Sequence, residues 1–220
     1  METHEASAAQ KGGSIVKARL KSAFVVMVRP FYGFGELKYE DKGSTGIAWA
    51  LLVCAAMAHL VRLLYTGPAF STFNPRTFHL LRELAGMALP FFLFVLGNWA
   101  VSTILDGEGS MREIFRACCY ALLPFLLCTL LAAALSHALT PKESFLMSTL
   151  EGAGTIWSLF LLFAGLAIMH QYTAGKTVAI LFLTLVFMGL TLFVLILLAS
   201  IADQLISYIT SVISEIKLRM

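Results

Sequence analysis

Hydrophobic positions in this chain come in five long blocks, because residues 43–61, 84–105, 117–141, 152–175 and 177–202 contain no Asp, Glu, Lys or Arg. About 20 apolar helical residues cross a hydrocarbon core of ~30 Å, and inside that core every backbone amide must be satisfied within its own segment. The blocks therefore predict five membrane-spanning helices over about 45–65, 84–105, 114–139, 153–172 and 177–202. The expected fold is an all-α integral membrane bundle of five spans, with an amphipathic helix at each end.

The polar remainder divides around that membrane domain of residues 43–202. Residues 1–13 read as a disordered tail, and 14–42 as an amphipathic helix followed by an aromatic and glycine-rich re-entrant segment. Val16, Leu20, Ala23, Phe24 and Met27 fall on one helical face beside Lys17 and Lys21. Such a stripe lies in the headgroup region, packs on the ends of the spans or binds a partner. Pro30 is expected to end it. In the next stretch Phe31, Tyr32 and Phe34 alternate with Gly33 and Gly35. Aromatic rings favour the membrane interface, so Pro30, Phe31, Tyr32 and Gly33 read as a re-entrant turn anchored by aromatics, or as a recognition site. At the other end, Asp203, Ser207, Thr210, Ser214 and Lys217 form a polar stripe opposite Leu205, Ile209, Val212 and Ile216, which predicts a separate amphipathic helix over 203–220.

The few polar positions inside the spans add detail. His59 and Arg62 close the first span, with Arg62 expected to reach outward. Asn74-Pro75 reads as the start of a helix leading into the second span. Pro90 and Pro124 remove backbone donors and are expected to bend the second and third spans. Asn98 needs a partner inside the bundle, since an unpaired amide in lipid is costly. Trp99, Asp106 and Gly107 belong to the close of that span and a tight turn, after which Ser110 and Glu113 make a capping box. Thr140 and Glu143 make another, opening a short helix that Glu151-Gly152-Ala153-Gly154 should break. His170 lies in the last tight turn and reads as a hydrogen-bonded interface residue. If the two bends open a cavity, Asn98 and Tyr120 are its expected lining.

Composition narrows the function classes. Hydrophobic residues make up 59% of the chain, charged residues 13%, and the formal net charge is +3. No segment outside the spans is large enough for a soluble catalytic core, and no basic face suits nucleic acid. Cys54, Cys118, Cys119 and Cys128 fall in or at the start of apolar spans without metal-ligand spacing, so they read as small hydrophobes. No catalytic, metal or cofactor site is expected. Lys11, Lys17, Arg19, Lys21, Arg29, Lys38, Lys42, Arg112, Arg116 and Lys176 outnumber Arg62, Arg76, Arg82, Lys142, Lys217 and Arg219, which predicts a cytoplasmic N-terminus and an external C-terminus. The tail is too long and polar for a cleaved signal peptide.

Two motifs carry a family resemblance. Cys119-Tyr120-Ala121-Leu122-Leu123-Pro124 resembles the Gly-Tyr-x-Leu-Leu-Pro of the Yip-one (Ypt-interacting protein) domain family, with Cys119 in place of Gly. Phe31-Tyr32-Gly33 resembles the middle of that family's Asp-Leu-Tyr-Gly-Pro motif, whose acid and closing proline are absent here. The Asn98-Trp99 to Gly109 turn and the His170-Gln171-Tyr172 turn are similar to bacterial members. The resemblance extends over about residues 29–202. It implies five spans, a cytosolic N-terminus and, in eukaryotic relatives, roles in vesicle traffic with small GTPases. The expectation is a non-enzymatic scaffold or accessory subunit in the cell membrane, or an endomembrane if eukaryotic, that meets lipid and binds other membrane proteins or itself. The alternative is a small permease or transporter component.

Overall fold

The computed structural model describes residues 22–39, 44–68, 70–71, 73–76 and 78–219. After a helical stretch over 22–28 come α1 (Pro30–Tyr39), α2 (Thr45–Tyr65), α3 (Leu80–Ile104), α4 (Met111–Ala121), α5 (Leu123–Leu135), α6 (Ser144–His170) and α7 (Ala174–Arg219), with a 3-10 turn at Pro141–Glu143 before α6. Five of the helical segments are long and apolar enough to cross a membrane, α4 and α5 together forming the third. Among the described residues there is no strand.

The third span sits at the centre, packed against α2, α3 and α6, while α7 lies mainly along α3. Centrality follows from composition. The face of α4 carries Ile114, Ala117, Cys118, Cys119, Tyr120 and Ala121, all buried. The small members among them let neighbouring backbones approach, which is how helices associate where hydrocarbon supplies no hydrophobic drive.

Pro124 divides this span at Leu122. Its ring cannot donate and crowds the carbonyl four residues back, so the α-helical ladder stops and restarts. The repair comes from another span: the Phe125 amide donates to Ser158 Oγ at 3.0 Å, and the ladder resumes with Leu126 N to Leu122 O at 2.9 Å. Pro90 has no such effect, because α3 runs through it as one helix.

Several elements differ from the sequence expectation. The aromatic and glycine-rich segment is α1, a helix rather than a re-entrant turn. Pro30 occupies its first position, where a missing amide costs nothing, and Phe34 is fully buried against Gly165 of α6. The amphipathic stripe before it is rotated. Ala23 and Val26 are buried while Phe24 is exposed, because the segment packs on the bundle; Val16, Lys17, Leu20 and Lys21 lie outside the described residues. Glu151-Gly152-Ala153-Gly154 does not break α6. Gly154 is there for close approach, since a Cβ on it would stand 2.5 Å from Cys128 Cβ and 3.1 Å from the Pro124 carbonyl oxygen. Asn74-Pro75 forms a single turn, closed by Phe78 N to Asn74 O at 3.1 Å and edge-on packing of Phe73 on Phe78, and the helix begins only at Leu80. Finally, 203–219 is no separate helix but the continuation of α7, which meets no proline along its course.

Candidate functional site

The polar side chains of the bundle gather at the end that carries α1, where the turn at 105–110 meets the turn at 171–173. Local sequence builds both turns. Asp106 and Gln171 adopt left-handed backbone with φ of 55° and 54°, and the capping box of Ser110 and Glu113 starts α4 immediately after the first. Gly107 is required between them, because a Cβ there would run into the Tyr172 hydroxyl and lie 2.9 Å from His170 Nδ1.

His170 is the hub. The Gly109 amide donates to its Nδ1 at 3.2 Å, so Nδ1 holds the lone pair and the proton resides on Nε2. Nε2 then donates to Asn98 Oδ1 at 3.2 Å. Asn98 Nδ2 donates in turn to Thr184 Oγ1 at 3.2 Å, and that hydroxyl donates to the Ile180 carbonyl at 2.8 Å. This directional chain ties the turn, the end of α6, the end of α3 and α7 together through a neutral imidazole. His170, Asn98 and Thr184 are essentially inaccessible.

A second layer lies toward α1. Lys38 donates to the Met169 carbonyl at 2.9 Å and approaches Ile168 O at 3.4 Å, a cation on the carbonyl end of a helix, where the dipole favours it. Glu108 stands 3.8 Å from Lys38 and accepts from Gln171 Nε2 at 2.5 Å. Tyr172 stacks on His170 with ring centres 5.1 Å apart, and Lys176 sits 4.3 Å over the Tyr172 ring. Partial burial and the Asp106 carboxylate push the Tyr172 phenol above its ordinary pKa, so it stays protonated near neutrality.

The remaining candidates are dispersed. Phe31 is exposed and edge-on to Phe160, Tyr32 is exposed with its hydroxyl donating to Glu36, and Gly33 is buried where a Cβ would meet the Val26 backbone. Pro30 starts α1, and the Trp99 carbonyl accepts from the Ser102 and Thr103 hydroxyls. Tyr120 and Pro124 are buried in the third span. Asn98, Gly107 and His170 are therefore brought together with Asp106 in the adjoining turn, whereas the motif residues of α1 and of the third span stand elsewhere. Sequence reasoning missed Lys38, Glu108 and Thr184. Thr184 carried a signal, as one of few hydroxyls in the most apolar span; nothing local marks Lys38 as a partner of residues 130 positions away.

The lining of the cavity also needs correction. A cavity of about 620 Å³ opens at the opposite end, between the spans, lined by residues such as His59, Glu83, Gly86, Phe94, Leu122 and Leu162. Neither Asn98 nor Tyr120 borders it. Asn98 is consumed by its bonds to His170 and Thr184, and Tyr120 is turned into the packed core. At that same end Arg62 makes a two-pronged ion pair with Glu151 at 2.5 and 2.8 Å, so it turns to a neighbouring span as well as outward. Among the described residues no three His, Cys, Asp or Glu side chains gather as a metal site requires.

Asn98→Leu should lower thermal stability in detergent by about 1–2 kcal/mol, because it removes two interhelical bonds and strands the His170 donor. Thr184→Val, which removes one, should cost less. Equal melting temperatures for wild type and Asn98→Leu would contradict the relay.

Comparison with family models identifies one match, described as the Yip1 domain, over residues 24–196. Neither the curated proteins nor the solved structures contain a match.

Proposed function

Because the chain belongs to the Yip1 domain family, a group of multi-span membrane proteins, we propose that it is a non-enzymatic scaffold or accessory subunit that binds partner membrane proteins. The observation that carries this reading is the length of α7. At 46 residues it measures ~69 Å, against a hydrocarbon core of ~30 Å. Ordinary tilt absorbs little of the difference. The excess is not polar throughout: Leu205, Ile206, Ile209, Ile213 and Ile216 share one face, and each is about half exposed or more. An apolar stripe that continues past the bilayer needs a cover.

The opposite end supports the same reading. The relay through His170 and the cap from Lys38 hold α1 and two turns as one rigid surface, on which Phe31, Tyr39, Gln171 and Tyr172 border an open groove of about 430 Å³. A fixed surface with exposed aromatics suits recognition. The excess of basic residues on this side supports a cytoplasmic position for this surface at a cell membrane, with α7 ending outside. The permease alternative is weaker, since the groups suggested to line its path are used within the bundle.

A photo-crosslinking residue at Ile209, tested in native membranes, should give a protein adduct of one defined mass, whether with a partner or a second copy. The same probe at Ser207, on the polar stripe, should give far less. Adducts with lipid alone at both positions would overturn the reading.

A further inference from the structure

We propose that the cavity at the end opposite α1 is a binding site for a membrane amphiphile with an amine-bearing headgroup, its chain between the spans and its amine on Glu83. The wall divides by chemistry. Met87, Phe91, Phe94, Leu122, Phe125 and Leu162 line the depth, reaching the break in the third span. The two hydroxyls on the wall belong to Ser158 and Thr155, and both are turned to backbone: Ser158 Oγ accepts from the Phe125 amide, and Thr155 Oγ1 donates to the Glu151 carbonyl. The interior therefore presents an apolar lining to a guest. The strongly polar wall groups are His59, in the last turns of α2, and Glu83, in the first turn of α3, so both stand toward the same end of the bundle.

A solute would find nothing to replace its hydration in such a space, whereas a guest with one polar end and an apolar chain matches it at both. The sign of the head follows from Glu83. Among the described residues its ion-pair partner is Arg82, with Nη2 at 3.6 Å, beyond hydrogen-bond length and on a largely exposed side chain, so the carboxylate keeps capacity to accept. A head that is cationic and donates hydrogen bonds satisfies it, and the His59 ring can accept a further bond. The volume of about 620 Å³ falls inside the ordinary range of ligand cavities.

Gly86 makes the site testable. It lies on the wall, and a Cβ built on it meets nothing within 4 Å. Gly86→Leu therefore starts its side chain into open space on the cavity wall, and it improves helix propensity. Purified protein would be incubated with phosphatidylethanolamine, phosphatidylcholine or phosphatidylglycerol of identical chains, and retained lipid measured by native mass spectrometry. Phosphatidylethanolamine should be retained preferentially. Glu83→Gln should weaken that retention about tenfold or more, the value of a charge-assisted bond, and Gly86→Leu should abolish it while the unliganded melting temperature holds or rises. Equal retention of all three lipids would mean a passive groove filled by bulk lipid and would overturn the assignment of the head. Undiminished binding in Gly86→Leu would overturn the location.

Discussion

Replacing Phe34 by alanine should detach α1 from the bundle. The ring is fully buried and fits a notch at Gly165, where a Cβ would lie 2.9 Å from Phe34 Cζ. Truncating a buried phenylalanine costs about 3–5 kcal/mol, transfer and cavity terms together. Few other contacts can offset that loss, because Phe31, Tyr32 and Tyr39 on the same helix are exposed and the remaining anchors are Gly33, Leu37 and Lys38. The effect should be local. Brief trypsin treatment should cut at Lys38 in the variant and spare it in the wild type, with helical content little changed. Gly165→Leu should reproduce the pattern by filling the notch instead of emptying it. An unchanged cleavage pattern in both variants would show that α1 is held by something other than this contact.

Gly154→Leu should be the most damaging single change within the spans. Its Cβ would overlap Cys128 Cβ and press on the Pro124 carbonyl, neither of which can swing away as a side-chain tip could. Overpacking costs about 1–3 kcal/mol when side chains adjust, and more when backbone must move. The damage should spread one turn along, because Ser158 shares the face of Gly154 and repairs the broken ladder at Phe125. Gly152→Leu is the matched control, since a Cβ there meets nothing within 4 Å, and it should melt at or slightly above the wild-type temperature. If the two variants melted together in the same detergent, the close crossing of the third and fourth spans would not be the constraint described.

Whether a feature was legible in the sequence depended on its range. The capping boxes at Ser110 and Thr140 involve groups within four residues of one another, so residue types alone identify them, whereas Pro90 and Pro124 carry the same local signal and only the second divides its span. The continuity of α7 was not legible in the same way: the change from all-apolar to amphipathic at 203 reads as a boundary, yet it marks a change of surroundings around one helix. Likewise, α1 has the glycines and aromatics of a turn, and it is helical because the notch at Gly165 and the backbone at Val26 reward that shape. Tertiary packing outweighed weak local preference.

The candidate site follows the same division. Asn98 and His170 each announced a need for a partner, since buried polar groups must be satisfied. The identity of the partner is not a local property: Asn98 and His170 are 72 residues apart, as are no two groups that local propensity can relate. Arg62 and Glu151 are likewise 89 apart, joined only because the ends of two antiparallel spans meet.

By itself the sequence determined that this protein is a five-span helical membrane protein of the Yip1 domain family, because hydrocarbon forces each apolar segment to satisfy its own backbone whatever its neighbours do. The tertiary structure alone decided which polar groups meet, which wall the cavity presents and which glycines are crossings. Those depend on how helices rotate about their axes and slide past one another, and that is settled by packing between segments distant in the chain.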